Sequence, residues 1–502
     1  MINQGGDEVK KHKITIISIL IIIFLCICYT VKTYDINTDG FYLIRLGKYI
    51  LNHGIDLKDH FSFISGLSYT YPHWLYSVYV YLFYSKLGFF GVYLSNIISF
   101  IVLVLSIYVV NVKINKNKLV ALLISIFSVF ILSKYIVARG QVLSIVLLFW
   151  EVYFIIKLIE TGKKKYVFFL PIASLLIANI HGTIWPMFFI LFLPFIGEHL
   201  LYIIFNKKKK KELKIGNITI EKVDNIKLVL IAFGISLLMG LLTPSRICYT
   251  YVFKIMLGDS QKYIGEHSTL QPIKEPLFLF LVTLLMLYKE KIKARDFFMI
   301  FGLIILSLIS VKYLLILYTI GILYISKLFM EQLNKLGDKT FLILENILFN
   351  KKIATSLLII FIGLIGLFGI KKNYNEKYIN GKKYPVSAVK YIKKNLDYKN
   401  IRMYNDYDIG GYILFNDIPV FIDPRCDLYF KEFNNKNLDI FDDSIMLYKK
   451  LDSYKSIFKK YNIDHVLLKK NDKLFYVISA DSNYEIIYKD KYFVLFKDIS
   501  SQ

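Results

Sequence analysis

The stretch "KKHKITIISILIIIFLCICYTVKTYDINTDGFYLIRLG", Lys10–Gly47, decides what kind of protein this is. Lys10, Lys11 and Lys13 precede an apolar run over residues 14–31. That run approaches the roughly 20 residues a bilayer-spanning helix needs. No A-x-A-like cleavage site follows, so the segment reads as an uncleaved first span rather than a secretory signal. Asp35 and Asp39 come directly after it, and the side they face depends on the topology of the rest.

The whole chain repeats this apolar character. Its 502 residues are 56% hydrophobic, and the mean hydropathy is +0.49. The class is a polytopic α-helical membrane protein. A net charge of +25 would suit nucleic acid, but the lysines gather in short loops between apolar runs, which is the positive-inside pattern of membrane proteins. No nucleic-acid partner is therefore expected. Cys26, Cys28, Cys248 and Cys426 have neither metal-site spacing nor a disulfide framework.

Six basic clusters are assigned to the cytoplasm. They begin at Lys10, Lys113, Lys157, Lys207, Lys289 and Lys327. Threading each cluster to one side gives spans near 14–31, 89–110, 119–137, 142–158, 166–181, 184–205, 227–242, 276–288, 297–310, 312–330 and 353–370. That is about 11 crossings. Segment 74–86 is read as an interfacial or re-entrant helix, and 340–352 as an amphipathic helix on the cytoplasmic surface. The N-terminus is then cytoplasmic and loop 32–73 lies outside. The division is a membrane domain over 1–370, whose outer loop carries the acids, and an extracytoplasmic α/β domain over 371–502.

This topology places polar residues that apolar spans do not need at one face: Asp35, Asp39, Asp59, His60 and His73, then Arg139, Asn179, His181, Arg246, Glu266, His267 and Lys312. Ionisable groups at membrane depth are costly and usually functional. Each also has a plainer reading. Asp35 and Asp39 suit helix caps, Arg139 suits snorkelling, His73-Trp74 suits an interfacial aromatic belt, and Glu266 suits a solvated loop. The one-sided gathering is the signal. Cations there would hold a phosphate-bearing lipid. A carboxylate would deprotonate an acceptor hydroxyl or hold a divalent cation, Mg or Mn. There is no G-x-x-x-x-G-K-[ST] loop and no G-x-G-x-x-G fingerprint, so the energy must arrive in an activated, lipid-linked donor.

An Asp just outside the first span, followed by the aromatic pair Phe41-Tyr42, resembles the GT-C superfamily of polytopic glycosyltransferases. Over nearly its whole length the chain is also similar to a group of GT-C-like bacterial and archaeal membrane proteins. Their D-x-W-W-H-L-x-x-G motif corresponds to "DGFYLIRLG" (Asp39–Gly47), with Leu43 in place of the histidine. "DHFS" (Asp59–Ser62), "PHWL" (Pro72–Leu75, lacking the group's Glu), "RGQ" (Arg139–Gln141), "IANIHG" (Ile177–Gly182) and Glu266-His267 match in turn. Lys312 stands where the group often has arginine. "YNDYDIGGYILFNDIPVFIDPRCDLY" (404–429) resembles the group's tail signature.

The resemblance implies a plasma-membrane glycosyltransferase that moves a sugar from a polyprenyl-phosphate donor to an envelope glycan, lipid or protein at the outer face. Asp39 would be the base or the metal-holding acid, assisted by Asp35. Arg139, His181 and Lys312 would engage the phosphate, Glu266 would orient the acceptor, and Asp59, His73 and Asn179 would complete the substrate site. Two alternatives are a non-catalytic scaffold or lipid-glycan binding protein, and a lipid-linked sugar transporter. Against transport, the sequence reads as having no internal repeat and no charge at mid-span.

In the tail, "YPVSAVKYIKKN" reads as a helix opened by Pro385. "GGYILF", "IPVFID", "DHVLLKK", "KLFYVIS" and "YFVLFK" read as strands, and "SIMLYKKLDSYKSIFKKY" as an amphipathic helix. Asp406, Asp408, Asp423, Arg425 and Asp427 are noted as a polar group suited to substrate or to turns. A role in recruiting the acceptor is assigned to this domain by analogy.

Overall fold

The computed structural model describes residues 2–31, 36–206, 214–244, 246, 249, 268–288, 290–336, 343, 347–349, 351–373 and 378–500. Asp35 and Glu266 lie outside the described residues, as does most of 340–352. The chain divides into two compact units. The first comprises Met1–Lys32, Asn96–Ile136 and Gly140–Tyr374; the second comprises Thr33–Ser95, Val137–Arg139 and Asn375–Gln502.

The helices in chain order are α1 (Ile2–Thr30), α2 (Thr38–His53), α3 (Trp74–Asn115), α4 (Lys118–Leu132), α5 (Gln141–Thr161), α6 (Lys165–Ile180), α7 (Trp185–Ile190), α8 (Leu193–Asn206) and α9 (Ile226–Leu238). They continue with α10 (Pro276–Leu287), α11 (Ala294–Ile309), α12 (Leu314–Leu336) and α13 (Lys352–Asn373). The tail adds α14 (Val386–Asn395), α15 (Tyr407–Phe415), α16 (Ile440–Lys449), α17 (Tyr454–Tyr461) and α18 (Lys473–Ser479).

Each of the expected spans carries a helix. Among the described residues, seven are long and apolar enough to cross a membrane, and Lys165–Ile180, Ile226–Leu242 and Pro276–Met286 are apolar but shorter. The protein is a polytopic helical membrane protein. Segment 74–86 is the first part of α3, which breaks at Gly88 (φ 58°, ψ −145°), a left-handed position that glycine fills without strain. One sequence reading is corrected: α5 carries a carboxylate, Glu151, midway along its length, so a mid-span ionisable group does exist.

The second unit joins the first outer loop to the tail. Its core is a four-stranded mixed sheet in the order β1 (Met403–Asn405), β2 (His465–Lys469), β4 (Phe493–Asp498), β3 (Tyr484–Lys489). β1 and β2 run parallel, and the other pairs are antiparallel. "DHVLLKK" and "YFVLFK" are the two strands foreseen. "GGYILF" is instead the body of helix α15, and "KLFYVIS" is α18, capped by Asp472, whose side chain accepts from the Leu474 N–H at 2.9 Å. Short apolar runs are ambiguous between strand and buried helix. Here close packing decides the matter. A Cβ on Gly411 would lie 2.1 Å from the Thr38 carbonyl oxygen, and one on Gly410 would lie 2.0 Å from that of Ile422. The glycine pair therefore lets α15 press onto the start of α2 rather than opening a turn. "IPVFID" forms no ladder strand. Val420 makes one parallel bridge to Ser62 in the outer loop, with the Val420 N–H donating to Phe61 at 3.1 Å and the Phe63 N–H donating back to Val420 at 3.2 Å. The expected single helix over "SIMLYKKLDSYKSIFKKY" is two, α16 and α17, separated by a 3-10 turn at Leu451–Ser453.

Candidate active site

α2 begins where the sequence says a helix should, but its cap is Asn37, whose side chain accepts from the Gly40 N–H at 3.0 Å. Asp39 is thus free of the capping role and lies in the first turn, where a negative charge meets the helix dipole favourably. Its side chain is largely buried, and Oδ2 receives both Nε and Nη2 of Arg139, 100 positions away in the chain. Asn37 Nδ2 adds a 3.3 Å bond to the same oxygen. Arg139 keeps about a third of its side chain exposed, 32% against 11% for Asp39. The cation is therefore the partner that a ligand would reach first.

Around this pair stand groups from α2 and from the tail. Tyr42, one turn along α2, is fully buried; burial first, then the negative charge of Asp39, pushes its phenol well up. Asp427 also acts on that phenol. Tyr407, the first residue of α15, lies with its hydroxyl 2.8 Å from Cys426 Sγ. Its phenol is pushed up by burial, then by Cys426 and by Asp39. Burial pushes the Cys426 thiol up to about 12, which makes it a poor nucleophile. Burial also pushes Asp427 up to about 6, against the opposing effect of a 3.0 Å bond donated by the Thr70 hydroxyl.

Behind them lies a buried ion network. The guanidinium of Arg425 is fully buried between two carboxylates. Nε and Nη2 bind Asp423 at 2.9 and 2.6 Å, and Nη1 binds Asp59 at 2.5 Å. The Tyr429 hydroxyl donates to Asp423 at 2.5 Å. Asp59 also accepts from the N–H groups of Phe61 and Ser62 at 3.1 and 3.0 Å. In this structure Asp59, foreseen as a substrate ligand, has both oxygens engaged and ties the outer loop to the tail. The carboxylates noted at 423–427 divide accordingly: Asp423 is part of this clamp, and Asp427 is held by the Thr70 hydroxyl.

The other foreseen residues are placed as follows. His73 precedes α3, and its carbonyl accepts from the Ser77 N–H at 2.9 Å. Asn179, Arg246, His181 and Lys312 belong to the first unit. Asn179 is buried and donates to the carbonyl of Leu175 at 2.9 Å. His181 caps the end of α6, donating its N–H to Ile177 at 2.8 Å. Lys312 sits in the 3-10 turn Val311–Tyr313 with Nζ 5.0 Å from the Tyr313 ring centre. Among the described residues no three His, Cys, Asp or Glu side chains converge to hold a metal ion. Asp39, the acid foreseen for that purpose, faces a guanidinium. Asp35, the second acid foreseen beside it, lies outside the described residues. Sequence reasoning missed Tyr42 and Tyr407 as members of the cluster, since a buried tyrosine next to apolar residues carries no signal of its own.

No protein-family model matches the chain, and no curated protein matches its sequence. Solved structures do match. The oligosaccharyltransferase of Archaeoglobus fulgidus in the apo form has a TM-score of 0.58 at 10% identity, covering 91% of this chain and 69% of that one. The archaeal oligosaccharyltransferase AglB from the same organism, in complex with an inhibitory peptide and a dolichol-phosphate, also has a TM-score of 0.58 at 10% identity, covering 92% and 70%. ArnT from Cupriavidus metallidurans, bound to undecaprenyl phosphate, has a TM-score of 0.56 at 7% identity, covering 97% and 98%. At such identities the likeness is one of fold, shared over most of the chain with these oligosaccharyltransferase and ArnT structures.

Proposed function

We propose that the protein transfers a sugar from a polyprenyl-phosphate-linked donor to a hydroxyl of an envelope glycan, lipid or protein, at the extracytoplasmic face of the plasma membrane. The observation that carries this reading is the Asp39–Arg139 ion pair at the start of α2, on a fold shared with glycosyltransferases solved with lipid phosphates. In the resting pair, Arg139 neutralises Asp39. A donor phosphate offers the guanidinium a second anionic partner in a bidentate geometry. Transfer of Arg139 to the phosphate frees Asp39 to accept a proton. The acceptor oxygen then bonds to the anomeric carbon, the bond from that carbon to the phosphate oxygen breaks, and the acceptor proton passes to Asp39. Polyprenyl phosphate leaves, its charge stabilised by Arg139. Direct attack inverts the anomeric configuration. Asp35 assists in this scheme, Glu266 orients the acceptor, His181 and Lys312 engage the phosphate with Arg139, and Asn179 completes the substrate site.

The test is turnover in proteoliposomes supplied with polyprenyl-phosphate sugars, read as release of polyprenyl phosphate. Asp39→Asn keeps the size and the Asn37 contact but removes the base. It is expected to abolish release while donor binding persists. An Asp39→Asn protein that turns over like the unaltered one overturns the role of Asp39 as the base; an unaltered protein that binds donor without releasing polyprenyl phosphate overturns the enzymatic reading and favours the lipid-glycan binding protein.

A further inference from the structure

Glu151 lies midway along α5, ten residues from either end of the span Gln141–Thr161. The flanking sequence, "LLFWEVYF", is otherwise apolar. Its side chain is completely buried, and among the described residues neither carboxyl oxygen has a hydrogen-bond partner. Polar side chains beside it on α5 do find partners: Ser144 donates to Gly140 at 3.0 Å and Trp150 donates to Ser106 at 2.9 Å. Glu151 leaves both oxygens of an ionisable group without a partner, whereas Ser236, Tyr318 and Tyr324 of the same unit each leave one neutral hydroxyl.

α5 packs against α6, α7, α9 and α12. α3 also touches α5, with Trp150 bonded to Ser106 and Lys113 Nζ 5.7 Å from the Trp150 ring centre. Among the described side chains, charged and titratable residues on these helices are Tyr108 and Lys113 on the part of α3 within this unit, Lys165 and Tyr166 on α6, Lys227 on α9, and Tyr318, Tyr324, Lys327 and Glu331 on α12; α7 carries none. Lys327 is engaged by Asp296, and on α5 itself Lys157 pairs with Glu160 at 2.6 Å. None of them is hydrogen-bonded or ion-paired to Glu151. A bare carboxylate at that depth is costly. A metal cation needs several oxygens to replace its water, and no cluster of acids, histidines or cysteines gathers there among the described residues. A proton is the one cation that a single carboxyl can satisfy alone.

We infer that Glu151 is a proton-binding site inside the membrane-spanning unit, a carboxylic acid held neutral in an apolar surround and unused by the sugar-transfer chemistry. The test is labelling of the full protein in phospholipid vesicles with N,N′-dicyclohexylcarbodiimide, a probe that partitions into the bilayer and reacts with neutral carboxyls. The carboxyl proton passes to a carbodiimide nitrogen, the carboxyl oxygen bonds to the central carbon, and nothing leaves. Peptide mass spectrometry is expected to find the adduct at Glu151. A water-soluble carbodiimide should leave it unlabelled. Glu151→Gln, which keeps the size and neutrality of the acid, should lose the adduct and melt at the temperature of the unaltered protein. Absence of an adduct at Glu151 in the unaltered, folded protein overturns the inference. So does a Glu151→Gln protein that melts well below it, because that loss would reveal an ionised group with a charged partner.

Discussion

Asp427 gives the most quantitative handle on the site. A solvated aspartate titrates near 3.9, whereas burial lifts Asp427 to about 6. A difference of about 2 in pKa corresponds to about 3 kcal/mol between the two protonation states. The folded state binds the proton more tightly, so the neutral acid is the form that suits the fold. This contribution is fully present below the unfolded value, near pH 4, and is lost as pH rises through about 6. Asp427→Asn removes the titration while keeping a neutral group of the same size. Unfolding of the detergent-solubilised protein and of this variant, followed by tyrosine fluorescence from pH 4 to pH 8, measures the effect. The variant should gain on the unaltered protein as pH rises between about 4 and 6, by about 3 kcal/mol, and the difference should then level off. Thr70→Val removes the hydroxyl that favours the charged form, so its midpoint should lie higher. A stability difference that is flat with pH would show that Asp427 sits in water, and the burial argument would fail.

Other outcomes follow from the same geometry. Arg425→Met leaves Asp59 and Asp423 buried without their cation; breaking such a pair costs about 3–5 kcal/mol, so the second unit should become susceptible to limited proteolysis. Gly411→Ala drives a methyl group against the Thr38 carbonyl and should lower stability by about 1–3 kcal/mol, read as a drop in Tm. Cys426, with its thiol pushed up to about 12, should resist iodoacetamide at neutral pH until the protein is denatured, as judged by mass spectrometry.

The membrane half was legible because its physics is carried by composition. A span must be apolar throughout, and basic loops mark one side. The tail was less so. "DHVLLKK" and "YFVLFK" are strands whose central residues are buried. "GGYILF" has equal apolar content and became a helix because two glycines meet backbone from elsewhere in the unit, a contact that no local pattern encodes. In the site, single residues such as Asp39, Arg139 and Asp59 stood out as costly charges. What the sequence could not apportion was who faces whom. Asp59 and Asp39 have the same chemistry in the same loop, yet one is enclosed with Arg425 and the other with Arg139. Glu151 shows the opposite failure: one acid among so many apolar neighbours was passed over, although its cost is set by depth and not by number.

The central claim, that Arg139 exchanges Asp39 for a donor phosphate, is tested most directly by a cryo-electron microscopy structure with polyprenyl phosphate bound. The account predicts phosphate oxygens within hydrogen-bond distance of the Arg139 guanidinium and the Asp39 carboxylate released from it. Lipid phosphate seated elsewhere, with Arg139 still on Asp39, would contradict it.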